Sequence, residues 1–382
     1  MKKKVTILFS GAHLAYSPTV ISLYDLLSEK FEVNIIAENP EAFDFERLND
    51  RRVIYKERLT GRNRLRFYRR FFDLRAIFDR DIAALKKWKF ETDVIYDFTV
   101  VRNLLAAESP DYIIAVDFQN LLYTQILGKE VEFLSLEITE NDKFYNRCDF
   151  ENVNSVVIQT KERYEHLFKN RGLKTFFVQN APVYAAPKND VNRRSLVYCG
   201  TAWNPFGFYH CLEFLRAFPE YTLNVKGALP SADRARIETD FRDLKTSGRL
   251  IFDSGYLDDG AVVGYLRQFR IGFCFYNFEI GWVDTFNYHS APSGKMFKYL
   301  AAGVPVVGQD ILGLKPIKEF DCGVLIEDLK PATIRDAVEK VEANFDYYSR
   351  NCLQAAAHYS FDKTTAPFVE YLTKQGFFRN SK

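Results

Sequence analysis

Ser293-Gly294-Lys295 opens the densest run of chemistry-bearing residues in the chain, which continues through Met296-Phe297-Lys298-Tyr299-Leu300-Ala301-Ala302-Gly303 to Val304-Pro305-Val306-Val307. A Ser-Gly turn ahead of an apolar-periodic stretch reads as a helix start. Gly303 reads as the helix stop, and Pro305 carries the chain into a buried strand. The first N–H groups of a helix have no intrahelical partner. With a serine hydroxyl and a lysine ammonium beside them, they suit the charge of a diphosphate. The same residues also fit an ordinary helix–strand unit with Lys295 solvated at its surface. Gly200-Thr201, at the end of the apolar run 196–198, and Lys226, after 222–225, are candidate supports for the phosphates.

A transfer onto a hydroxyl also needs a group to remove its proton. In the first half of the chain, candidates stand where apolar runs end: Glu137 after 133–136, Asp117 after 113–116, and His13 in the loop after 5–9. Each has a plain alternative, with Asp117 and Glu137 capping the helices that follow and His13 satisfying loop backbone. The five histidines form no ligand-spaced pair and no Asp-x-Asp appears, so no metal site is expected.

The elements that must hold these groups come in two sets. Short apolar runs at 5–9, 33–36, 112–116, 133–136 and 155–158 alternate with helix-like segments such as 18–30 and 120–127. The pattern restarts near Asn192 with runs at 196–198, 222–225, 249–252, 271–275 and 304–307. Such alternation predicts parallel sheets covered on both faces, with ligands at the carboxyl ends of the strands. Asn180-Ala181-Pro182 and the polar stretch 188–194 mark the linker, and 360–375 reads as a capped amphipathic helix with Ser360 or Asp362 at its start.

A length of 382 residues favours two cores over one. With 47% hydrophobic and 27% charged residues the composition is that of a folded chain, and a formal charge of +2 offers no general field for nucleic acid. The basic start Met1-Lys2-Lys3-Lys4 leads into too short an apolar run for a signal peptide, and no stretch is long enough to span a membrane. The six cysteines are scattered without a Cys-x-x-Cys pair, which predicts reduced thiols and a cytoplasmic setting. Phe9-Ser10-Gly11-Ala12-His13 lacks the glycine spacing of a dinucleotide loop, which disfavours an NAD enzyme. The basic and aromatic stretch 51–90 reads either as a packed helix with a solvated face or as a contact with an anionic membrane surface.

The run from Lys295 to Val307 resembles the donor-binding half of GT-B glycosyltransferases, especially those akin to glycosyltransferase family 4. Other pieces follow in the family's order. Val197-Tyr198-Cys199-Gly200-Thr201 resembles the first strand and glycine loop, and Asn224-Val225-Lys226-Gly227 the second strand. Asp253-Ser254-Gly255-Tyr256-Leu257 with 261–269 is similar to the part that holds the nucleobase, Glu279-Ile280-Gly281-Trp282 to the loop bearing the first of two glutamates, here set farther from the helix by a longer insertion, and 323–328 to the closing strand. The terminal Tyr359-Ser360-Phe361-Asp362 resembles the segment where the chain crosses back to the first domain. One departure stands out: Lys298 occupies the place of the second glutamate that retaining members usually carry, which leaves the stereochemistry open.

The resemblance implies an α/β chain of GT-B type, with two Rossmann-like domains facing across a cleft. Residues 1–187 would bind the acceptor, 188–360 the nucleotide sugar, and 361–382 would form a helix returning to the first domain. The implied reaction is metal-independent transfer from an NDP-sugar, with UDP-sugar favoured, to a polysaccharide, glycan or lipid-linked acceptor. The implied donor contacts are Gly200, Thr201, Lys226, Tyr256, Leu257, Glu279, Ser293, Gly294 and Lys295, with no cofactor beyond the donor itself. Two alternatives stand beside it: a catalytically silent subunit that binds a nucleotide sugar or a partner, and an epimerase or phosphorylase on the same scaffold. Donor binding without turnover would mark the first. Donor consumption without an acceptor would mark the second.

Overall fold

Strands buried on both faces require cover on both faces, and the chain provides such a sheet twice. The computed structural model describes residues 2–11, 14–38, 48, 50–57, 67, 82–138, 143–169, 171–183, 194–255, 257 and 259–378. The first sheet holds β1 (Lys4–Phe9), β2 (Glu32–Glu38), β3 (Val53–Lys56), β4 (Tyr112–Val116), β5 (Val131–Leu134), β6 (Val153–Ile158) and β7 (Thr175–Phe177). Their order is β3-β2-β1-β4-β5-β6-β7, and every neighbouring pair is parallel. The second holds β8 (Arg194–Cys199), β9 (Leu223–Lys226), β10 (Leu250–Asp253), β11 (Phe269–Cys274), β12 (Val306–Gln309) and β13 (Gly323–Ile326). Here the order is β10-β9-β8-β11-β12-β13, again parallel throughout. Strand order reverses between β1 and β4 and between β8 and β11, the positions where open sheets leave a crevice for ligands.

Helices cover both faces of each sheet. In the first half they include α1 (Pro18–Ser28), α2 (Ile82–Glu108), α3 (Asp117–Ile126) and α4 (Lys161–Phe168). In the second they include α5 (Phe208–Ala217), α6 (Asp259–Leu266), α7 (Phe286–Ser290), α8 (Gly294–Ala301), α9 (Pro331–Ala343) and α10 (Phe345–Tyr359). Each sheet therefore carries two apolar clusters. Ile7, Leu23 and Ile114 lie on one side of the first sheet, and Phe118, Phe133 and Phe168 on the other. The last helix, α11 (Phe361–Phe378), returns to the first half. Its Phe368, Val369 and Leu372 join the cluster of β1 and α1, and Phe176 meets Phe368 and Tyr371 at 5.4 and 5.2 Å.

The expected strands are all present, several of them displaced along the chain by one or two residues, as β5, β9, β10 and β12 are. Two edge strands, β3 and β7, escape the sequence pattern because their side chains are mostly half-exposed. The helix expected from 120 starts at Asp117, directly on the end of β4. The division at 187/188 and most of 51–90 lie outside the described residues. No described helix is long and apolar enough to cross a membrane, and no disulfide joins the cysteines.

Candidate active site

The carboxyl ends of β8 and β9 meet backbone to backbone. Gly200 (φ +119°) donates its N–H to the Lys226 carbonyl at 2.8 Å. Gly227 (φ +144°) lies so close beneath it that a Cβ there would stand 2.2 Å from the Gly200 oxygen. Only glycine fits Gly227, on conformational and steric grounds alike. Thr201 follows, partly buried. The Tyr198 hydroxyl stands 3.1 Å from the Thr201 carbonyl and 3.0 Å from that of Phe206, which gathers the loop above the strand end.

Helix α8 brings Lys295 to this point. Its Tyr299 is fully buried; the phenol oxygen accepts from the Cys199 N–H at 2.7 Å and lies 3.3 Å from the Phe273 carbonyl. Gly272 leaves the room for that ring, since a Cβ would lie 2.7 Å from it. The helix is thus pinned across β8 and β11. Lys295 projects over the Tyr198 ring with its Nζ 4.6 Å from the centroid, and donates to the Tyr198 hydroxyl at 3.3 Å. Phe206 and Tyr276 close the other sides, each 5.6 Å from the ammonium. Among the described residues no carboxylate pairs with it, and burial among neutral groups pushes its pKa below the usual lysine range. Ser293 is buried at the N-cap, with its hydroxyl toward Tyr276 and Cys274. Gly294 lies against Asn180, where a Cβ would stand 3.0 Å from the side-chain nitrogen.

The first half contributes a carboxylate to the same place. Asp117 turns the chain from β4 into α3 at φ +57°, a conformation of about 1–3 kcal/mol strain for a residue with a Cβ. Its carboxylate accepts from the N–H groups of Leu136 at 2.9 Å and Glu137 at 3.4 Å, which fixes the loop after β5. Glu137 is exposed, and its Oε2 accepts from Asn287 Nδ2 of α7 at 2.7 Å. Its charge is near enough to help push the Tyr276 and Tyr288 phenols up, burial being the larger cause for both. Glu137 and Lys295 therefore approach the Tyr276 ring from different halves of the chain.

Asn287 is the centre of that junction. Its Oδ1 accepts from the buried Ile138 N–H at 2.9 Å and from Arg163 Nη2 at 3.0 Å. Arg163, on α4, is fully buried and also reaches the Leu136 carbonyl at 3.0 Å, the Asn287 carbonyl at 3.3 Å and Ser290 Oγ at 3.3 Å. Its hydrogen-bond partners are neutral oxygens. Burial brings its pKa down to about 10 against the opposing charges of Glu137 and Asp117. The His166 ring stacks on Phe286 at 3.9 Å beside it.

Other expected site residues are placed differently. Lys226 is buried and forms an ion pair with Asp253 at 2.8 Å, with its ammonium 4.9 Å from the Tyr265 ring. Leu257 packs partly buried against the α8 cluster, and Glu279 is exposed in the loop after β11. His13 and Tyr256 lie outside the described residues. Among the described residues no group of three His, Cys, Asp or Glu side chains converges. Sequence reasoning missed Arg163, Asn287 and Tyr276, because no motif marks residues that meet only when two halves of a chain fold together.

No family model and no curated protein matches the sequence. Solved structures do match the fold along nearly its whole length. Sucrose-phosphate synthase from Thermosynechococcus elongatus is similar at a TM-score of 0.68 and 14% identity, over 99% of this chain and 100% of that one. Anabaena HepE in complex with UDP follows at 0.66 and 12%, over 97% and 100%. The α,α-trehalose 6-phosphate synthase from Burkholderia multivorans gives 0.63 and 12%, over 99% and 100%. The likeness is one of fold: two Rossmann-like domains and a returning C-terminal helix, the GT-B architecture.

Proposed function

We propose that this chain is a glycosyltransferase that moves a glycosyl unit from a nucleoside-diphosphate sugar, with UDP as the favoured nucleotide, to a glycan, polysaccharide or lipid-linked acceptor. The observation that carries the reading is the Lys295 ammonium. It is held in a neutral, aromatic-lined niche at a helix start and a strand switch point, with no carboxylate among the described residues to neutralise it. A half-buried cation among neutral groups gains most from an anionic ligand. Two solved structures of the same fold hold uridine nucleotides: Anabaena HepE with UDP and an Escherichia coli trehalose-6-phosphate protein bound with UDP-2-fluoro glucose.

In this reading residues 188–360 hold the donor and 1–187 the acceptor. The diphosphate lies at Lys295, Ser293 and Gly294, beside the Gly200-Thr201 loop. Lys226 holds Asp253 at the start of the loop after β10; Tyr256 and Leu257 border the nucleobase, and Glu279 takes a donor-sugar hydroxyl. The acceptor oxygen bonds to the anomeric carbon as the bond to the phosphate oxygen breaks. The electron pair leaves with the nucleoside diphosphate, whose charge Lys295 and the helix N–H groups stabilise. The acceptor proton passes to Glu137, held in place by Asp117 and Asn287. Lys298, on the next turn of α8, stands where a retaining relative carries a glutamate. The basic stretch 51–90 serves as a peripheral contact at the inner face of the membrane if the acceptor is lipid-linked.

The test is release of nucleoside diphosphate from a panel of nucleotide sugars, with and without glycan and polyprenyl-phosphate acceptors. Acceptor-dependent release that falls at least about 100-fold in Glu137→Gln supports the assignment. Binding of every donor without release under any condition favours the silent subunit, and release without acceptor favours an epimerase-like or hydrolytic scaffold.

A further inference from the structure

Beyond the Lys295 niche the surface continues as an aromatic shelf. Trp282 is half-exposed at 50%, an unusual state for the largest apolar side chain. Its indole lies 5.4 Å from Trp203 and 5.9 Å from Tyr288. Trp203 in turn meets Phe206 edge-on at 5.5 Å, and Phe206 is one of the rings around the ammonium.

The shelf is built to stay in place. The Asn277 N–H donates to the Pro205 carbonyl at 3.0 Å, and its side-chain amide reaches Asn204 Oδ1 at 3.1 Å, which ties the two loops together. Phe278 stacks on His289 at 3.9 Å, and that imidazole bonds to Asp284 at 2.8 Å. Val283, next to Trp282, is fully buried and anchors the tip. Rigid, half-exposed aromatic area is the surface that suits the apolar C–H face of a pyranose ring, whose hydroxyls stay free for water and polar side chains.

We propose that Trp203 and Trp282, although in the half that holds the donor, form the stacking platform for one sugar ring of an acceptor glycan held chiefly by residues 1–187, an inference that rests on the donor site at Lys295. The position argues for the acceptor rather than the donor. The donor's diphosphate end belongs at the ammonium, so the glycosyl unit it carries fills the space beside Phe206 and Tyr276. Trp203 lies one ring beyond Phe206 at 5.5 Å, and Trp282 a further 5.4 Å on with half its surface in solvent, where a ring of a second sugar can reach it.

The chain has three tryptophans, two of them in the shelf, so emission reads it directly once Trp88 is replaced by phenylalanine. The full chain, saturated with UDP, is titrated with neutral gluco-, xylo-, manno- and chito-oligosaccharides. The expected result is a shift in emission with at least one series. Its Kd should rise about tenfold in Trp282→Ala while the Kd for UDP stays within about twofold. No response to any series while UDP binds overturns the platform, as does an unchanged oligosaccharide Kd in Trp282→Ala. Loss of affinity for UDP-sugars relative to UDP, with oligosaccharides unaffected, reassigns the shelf to the donor sugar and overturns the proposal. Failure of UDP itself to bind tells against the donor site instead.

Discussion

Replacing Asn287 by leucine keeps the γ-branched shape of the side chain and removes all three of its hydrogen bonds. The Ile138 N–H, in a residue 1% exposed, loses its acceptor, which costs about 1–3 kcal/mol. Arg163 loses one of the neutral oxygens around its buried guanidinium, worth about 1.5–3 kcal/mol. Exposed Glu137 turns to water at little cost. The total, about 2.5–6 kcal/mol, falls on the contact between the two halves and not on either core. The suitable assay is therefore hydrogen exchange, resolved for 135–139 and 285–291, because it reads local opening rather than global unfolding. Exchange there should accelerate by about two orders of magnitude or more, with the strands of both sheets unchanged. Equal exchange in wild type and Asn287→Leu would refute the reasoning, since a junction that opens freely cannot be held by Asn287.

Three further outcomes follow from the same geometry. Gly227→Ala should destabilise the chain by several kcal/mol, since a Cβ would strike the Gly200 carbonyl. Gly200→Ala, with open space around it, should cost only the left-handed strain of about 1–2 kcal/mol; the urea midpoints of the pair check the order. Tyr299→Phe removes the hydroxyl that accepts from the buried Cys199 N–H and should lower stability by about 1–3 kcal/mol, again read by urea unfolding. The third outcome concerns pH. Burial lowers the pKa of Lys295, while a bound diphosphate favours the charged form. Nucleotide affinity should hold at neutral pH and fall as pH rises through the lowered value toward that of a free lysine, about 10.4. Calorimetry across pH 7 to about 10 checks this, and a flat profile would remove Lys295 from the binding site.

What the sequence revealed was local. The two sheets follow from apolar runs separated by amphipathic segments, and the helix from Lys295 to Ala301 follows from its Ser-Gly start and Gly303 stop. Glu137 and Asp117 were legible as strand-end carboxylates, but not their relation, in which the Asp117 carboxylate holds the backbone that carries Glu137. That relation depends on the positive φ of Asp117, which no pattern of apolar residues encodes. Arg163 sits among Lys161, Glu162, Glu165 and His166 on a polar helix, and Asn287 has no motif around it. Their roles come from the contact between domains, a property of the docked halves and not of either segment. Lys226 shows the opposite limit: a lysine after a strand suggested phosphate, and the structure gives it Asp253.

The most direct test of the account is calorimetric titration of the full chain and its Lys295→Met variant with UDP, with the folded state of both confirmed by circular dichroism. The account predicts saturable binding by the wild type and a Kd about 10- to 100-fold higher in the variant, the value of a charge-assisted contact to phosphate. Equal affinity in the two proteins, or no binding of any nucleoside diphosphate to the wild type, would contradict it.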